Sequence, residues 1–147
     1  MNTSLAEGLR GFVAETFALM AKTQACHWNA MGENFIGMHK LTEAQYAELL
    51  QAADDLAERM RGRGDRAPLG LAEMQHLSTI EDAPVTLSTH EALRILAEDN
   101  ATLAELAKDL AEHADEADDL ATHDMLVHRI AVHQKAAWLL RSHVARD

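Results

Sequence analysis

Proline stands at only two positions in this 147-residue chain, Pro68 and Pro84, and that placement limits the fold more than any other feature. Inside a helix, proline removes a backbone donor and clashes with the preceding turn. Met1 to Ala67 and Val85 to Asp147 are free of it, so two long helical halves can flank one broken connector. Abundant Ala, Leu and Glu with only 4% aromatic residues favour helix over strand. The length and the 48% hydrophobic content suit one domain spanning residues 1–147.

Apolar spacing places a first helix over about residues 3–29, through Phe12, Leu19 and Met20 to Trp28, before Met31, Gly32 and Asn34 break the pattern. A second helix opens near Asn34 and runs through Leu41, Leu49, Leu56 and Met60 to Gly62 and Gly64, a length of about 43 Å. The connector from Asp65 to Leu87 has room for one short helix at Leu71 to Leu77. Ser88 with Glu91 forms a capping box that starts a third long helix, striped by Leu93, Leu96, Leu103, Leu106 and Leu110. An acidic turn between His113 and Thr122 leads into a fourth, ending near Val144. Four long helices, two short links and one long crossover describe an all-α, ferritin-like four-helix bundle. The apolar positions hold no heptad through four segments, which disfavours a coiled coil.

A net charge of −11 argues against nucleic-acid binding through the general field of the protein. The lone Cys26 can close no disulfide within the chain. The sequence lacks an 18-residue apolar run, and its N-terminus lacks the basic and apolar regions of a signal peptide, so the cytoplasm is the expected location.

Nine histidines are many for this length, and ligand spacing sorts them. His123, His128 and His133 are five apart, about 140° per step on a helix, so they cannot share one face and read as polar surface positions. His76, His90, His113 and His143 read the same way. His27 and His39 differ, since they flank the break between the first two helices. Farther along the second helix, Asp54 and Glu58 are four apart and project from one face, as a pair of oxygen ligands would. His39 and Asp54 are fifteen residues apart, about 22 Å along one helix axis, so a single chain cannot close them on one metal. A two-fold dimer with antiparallel second helices could, giving two intersubunit sites.

The run HWNAMGENFIGMHK, followed by EAQY and DDLAERMRGRG, resembles the signature of the Dps proteins, or mini-ferritins, without a gap. The stretch DLATHDMLVHRIAVHQKAAWLL resembles the last helix of that family, with Thr122, Asp124, Lys135 and Trp138 in place. An acidic residue that often precedes the lysine is Gln134 here.

The resemblance implies a hollow homododecamer that oxidises ferrous iron, with hydrogen peroxide or oxygen, and stores the ferric product against oxidative stress. Carried over by position, His27 and His39 of one subunit and Asp54 and Glu58 of its mate would be the iron ligands and the catalytic set. Trp28 would lie beside the site and intercept oxidising equivalents, or pack at the dimer contact. Tyr46 matches a family position and is expected to pack; Cys26 is expected to be a buried filler. Asp119 and Asp124 match pore positions through which iron enters, although helix N-terminal capping and solvation are an alternative use of Asp118 and Asp119.

DNA is the second partner of the family, usually held by a lysine-rich tail. No basic residue precedes Arg10, and the cluster Arg59, Arg61, Arg63 and Arg66 suits a helix C-terminus with ion pairs. DNA binding is therefore not expected, and a nucleoid-condensing protein is the alternative function. A purely structural helical oligomer is the other. A ferritin-type site inside one subunit would need Glu-x-x-His motifs on several helices, and only Glu73 to His76 has that spelling.

Overall fold

The computed structural model describes residues 4–84 and 88–145. Five helices follow in order: α1 (Leu5–Asn29), α2 (Phe35–Gly62), α3 (Leu71–Leu77), α4 (Thr89–Glu116) and α5 (Leu120–Val144). The architecture is all-α, the ferritin-like bundle expected from the spacing. Residue 3, at the expected start of the first helix, and residues 85–87, at the end of the expected connector, lie outside the described residues.

Side-chain caps explain the helix starts. Ser4 accepts the amide of Glu7 while Glu7 returns to the Ser4 amide, a capping box that starts α1 at Leu5. The same box forms between Ser88 and Glu91 at α4. Asn34, at φ 60°, sits in the left-handed region and turns the chain into α2 without a side-chain cap. Gly64, at φ 89°, follows the end of α2.

The crossover is long because it spans the bundle. The amide of Met31 donates to Thr89 Oγ1 at 3.2 Å, which puts the start of α4 beside the α1–α2 turn. Arg59 donates to Asp119, which puts the end of α2 beside the α4–α5 turn. The chain must therefore travel back along α2, about 42 Å for 28 residues, before α4 can begin. Buried Glu15 of α1 fixes that return: its carboxylate accepts from Ser78 Oγ, from the amide and hydroxyl of Thr79 and from the amide of Ile80.

Leu9, Phe12, Leu19, Leu56, Met60, Leu93, Leu96, Leu103, Leu126 and Leu140 form the core. α4 packs along α5, and α1 packs along both α2 and α4. α2 and α5 touch only lightly, across a cavity of about 330 Å³ lined by Glu48, Asp55, His128 and Arg129 among others. Polar ties bridge that seam. Arg129 pairs with Glu48, and Gln45 donates to the carbonyl of Ala136.

The last helix corrects one sequence expectation. His128 is exposed and His123 half-buried, but His133 is fully buried, not a surface position. It follows Leu126, Arg129 and Ile130 on the inward stripe of α5 and precedes Ala137 and Leu140. Its Nδ1 donates to Asn100 Oδ1 at 2.9 Å, and its Nε2 accepts from Arg129 Nη2 at 3.2 Å. Burial, with a smaller contribution from the Arg129 charge, pushes its pKa down to about 3, so the ring is neutral. His113 and His143 are also half-buried rather than surface residues, while His76 and His90 are exposed.

Candidate metal centre

His27 occupies the last turn of α1, and His39 the second turn of α2. The tight link at 30–34 folds one onto the other. Nδ1 of His27 donates to the carbonyl of His39 at 2.8 Å, and Nδ1 of His39 donates to the carbonyl of His27 at 3.2 Å. The two rings stack with centroids 3.7 Å apart and 19° between planes. With both Nδ1 atoms used as donors, each ring keeps its Nε2 lone pair. That tautomer is the one a metal needs, and an orienting partner on the far nitrogen is the usual support for a ligating histidine.

His27 is buried and His39 half-buried. The Thr42 hydroxyl lies 3.2 Å from His27 Nδ1. Phe35 lies against His39, and Tyr46 meets His27 edge-on. Tyr46 is half-buried against the core, matching its expected packing role. Trp28, next to His27, is 68% exposed. Cys26 is half-buried, and burial pushes its thiol pKa up, partly opposed by Lys22.

Asp54 and Glu58 are exposed on α2, one turn apart. Neither enters an ion pair or a side-chain hydrogen bond among the described residues. α2 is unbroken between His39 and Asp54, so the separation of about 22 Å along its axis stands. Among the described residues, no group of three or more His, Cys, Asp or Glu side chains is placed to hold a metal. Within one chain the His27–His39 pair and the Asp54–Glu58 pair are thus kept apart. The donor types fit iron: two imidazole nitrogens and two unpaired carboxylates.

The two acids matched to a pore differ in environment. Asp119 is the N-cap of α5, accepting the amide and hydroxyl of Thr122. It also pairs with Arg59 at 2.6 Å and with Arg63. Asp124 is exposed one turn later. Arg59 and Arg63 are held in these ion pairs, and Arg61 donates to the carbonyl of Asp65. Sequence reasoning missed Thr42, Glu48, Asn100 and Arg129. Thr42 alone carried a signal, a hydroxyl three residues after His39.

No described helix is long and apolar enough to cross a membrane. A family model for the ferritin-like domain matches residues 7–147. The chain is 29% identical over 140 residues to the "DNA protection during starvation protein" of Helicobacter pylori, covering 95% of this chain and 97% of that one. A Dps protein from Bacillus brevis superposes with a TM-score of 0.92 at 33% identity, over 99% of this chain and 100% of that one. Dps from Staphylococcus aureus gives a TM-score of 0.93 at 25% identity, over 97% and 96%. The chain belongs to the ferritin-like domain family, in its Dps branch.

Proposed function

We propose that this chain is a ferroxidase and iron store. In this reading it oxidises Fe(II), with hydrogen peroxide or oxygen, at sites shared by two-fold-related copies. The ferric product is kept as mineral inside a homododecamer in the cytoplasm, protecting against oxidative stress. One observation carries the proposal: the His27–His39 pair keeps both Nε2 atoms available, while Asp54 and Glu58 are unpaired and out of reach on the same helix. A second copy laid antiparallel would supply the missing half at each end.

The residues divide the work. His27 and His39 bind ferrous iron as substrate, and Asp54 and Glu58 of the mate offset the charge gained on oxidation. Two ferrous ions supply the two electrons that turn hydrogen peroxide into water, so no hydroxyl radical is released. Trp28, beside His27, would intercept stray oxidising equivalents. Asp124 would guide entering cations from the second turn of α5, the helix that Asp119 caps. Duplex DNA is not a partner in this reading, since Arg59 and Arg63 are held by Asp119.

Mixed assemblies test the shared site. His39→Ala and Glu58→Ala each break both sites of a homodimer, and ferric absorbance after Fe(II) and peroxide should fall to the protein-free rate. Co-assembled, the two variants form mixed dimers in which one site has both halves intact, so activity should return. Failure of the mixture to recover would overturn the shared site. Wild-type protein no faster than the protein-free control would overturn the ferroxidase reading itself.

A further inference from the structure

A second cavity, of about 450 Å³, lies at the end of the bundle that holds the α1–α2 turn. Met31 of the turn, Met38 of α2, His90 of α4 and His143 of α5 all line it. The amide of Met31 donates to Thr89 Oγ1 at 3.2 Å, which sets Met31 beside the turn of α4 that carries His90. The ring of His143 lies over Gly37, where a Cβ would stand 3.1 Å from its Cε1, and Met38 is the next residue. Each approach brings a methionine and a histidine together from different elements. His143 Nε2 is buried and has no hydrogen-bond partner among the described residues. Leaving such a nitrogen unpaired is costly, and a metal ion is one group that satisfies it.

We propose that this cavity binds one Cu(I) ion per chain, held by Met31, Met38, His90 and His143. The site uses none of the four candidate iron ligands and does not rest on the ferroxidase reading. Glu33 also lines the cavity, yet among the described residues no three His, Cys, Asp or Glu side chains converge on a metal, so a hard ion lacks its oxygen ligands here. The donors that remain are the two sulfurs with the two rings. Thioether sulfur and imidazole nitrogen form a soft, uncharged set, which selects Cu(I) over Fe(II), Mg(II) or Ca(II). Packing requires sulfur at neither position. Met38 belongs to the core, where leucine would fill the space, and Met31 is 71% exposed. The difference in burial suits uptake: the flexible side chain of Met31 can close onto an ion held by Met38. Once bound, the ion would tie the turn, α2, α4 and α5 together at the end of the bundle where His27 and His39 stack.

The experiment titrates the whole protein anaerobically with Cu(I) buffered by bicinchoninate and reads the affinity from the colour of the chelator complex. Wild type should withdraw one Cu(I) per chain. Met31→Leu, Met38→Leu and His90→Asn should each weaken binding by about 10-fold or more, since loss of even an outer partner has that effect. Met31 and His90 are exposed, so their variants test the site without disturbing the core. Cys26→Ser removes the only thiol in the chain and should leave the affinity unchanged. X-ray absorption of copper bound to Cys26→Ser should still show sulfur scattering, which then comes from methionine. Wild type that withdraws no Cu(I), or that binds it no more tightly than Met31→Leu combined with Met38→Leu, would overturn the proposal. Sulfur scattering that disappears in Cys26→Ser would overturn it too, because the ion would then sit on the thiol.

Discussion

The Thr42 hydroxyl donates to the carbonyl of Met38 at 2.8 Å and lies 3.2 Å from His27 Nδ1, so its oxygen faces the nitrogen that fixes the ring. It supports the bond from His27 to the carbonyl of His39. Thr42→Val keeps the shape and removes the oxygen. Outer partners of this kind typically change metal affinity 10–100-fold, and a loss of about 10-fold is expected for a bond that is shared. Cobalt titration of wild type and Thr42→Val, followed by the visible absorbance of bound Co(II), measures it. Unchanged affinity would mean that the carbonyl of His39 orients the ring alone.

Asp119 and Asp124 are separable by substitution. Asp119 caps α5 and ties it to Arg59 and Arg63, so Asp119→Ala removes a cap and leaves the half-buried Arg59 guanidinium without a carboxylate, while Arg63 keeps Asp65. A loss of about 2 kcal/mol is expected, most of it from the cap. Asp124→Asn changes an exposed residue and should alter the urea midpoint little. If Asp124 guides cations, its variant should slow Fe(II) uptake more at low salt than at high salt, because screening weakens a field acting at a distance. Equal slowing at both would remove the entry role.

How far the sequence could be read depended on where each partner lay. Local signals carried the helices: Gly62 and Gly64 mark the end of α2, and Ser88 with Glu91 marks the start of α4. The Ser4–Glu7 box was equally local and sets the start of α1 at Leu5. The His27–His39 stack was not legible from a twelve-residue gap, because it needs the left-handed turn at Asn34 to fold one helix end onto the next. His133 read as surface because it is polar, and Arg129 went unnoticed. Their burial depends on Asn100, 33 residues from His133, and Glu48, 81 residues from Arg129. A pattern within one helix cannot report partners on another.

Glu15 should hold the crossover in place. It is buried on α1, and two of its four hydrogen-bond donors are the amides of Thr79 and Ile80. Glu15→Ala leaves the Thr79 amide without its carboxylate partner, while the Ile80 amide keeps Ser78 Oγ, and is expected to cost about 1–3 kcal/mol. The consequence should be local: limited proteolysis should cut near residues 78–84 well before other segments. Cleavage at the wild-type rate would show that contacts between α1 and α3, including the Arg10–Glu73 pair, suffice.

His133 should make stability depend on pH in one direction. Its pKa is about 3 in the folded chain and about 6.5 in an unfolded one. Below the unfolded value, the unfolded chain binds a proton that the native chain refuses. Stability from this residue is therefore full above about pH 6.5 and falls as pH drops toward 3, by up to roughly 1.4 kcal/mol per pH unit. Glutamine at this position can donate to Asn100 and accept from Arg129 without titrating. Urea unfolding at about pH 7 and about pH 5, at one fixed protein concentration because assembly contributes to stability, should show wild type losing more than His133→Gln over that interval. Parallel losses in the two proteins would place the acid sensitivity elsewhere, and His133 would then be exchanging protons with solvent despite its burial.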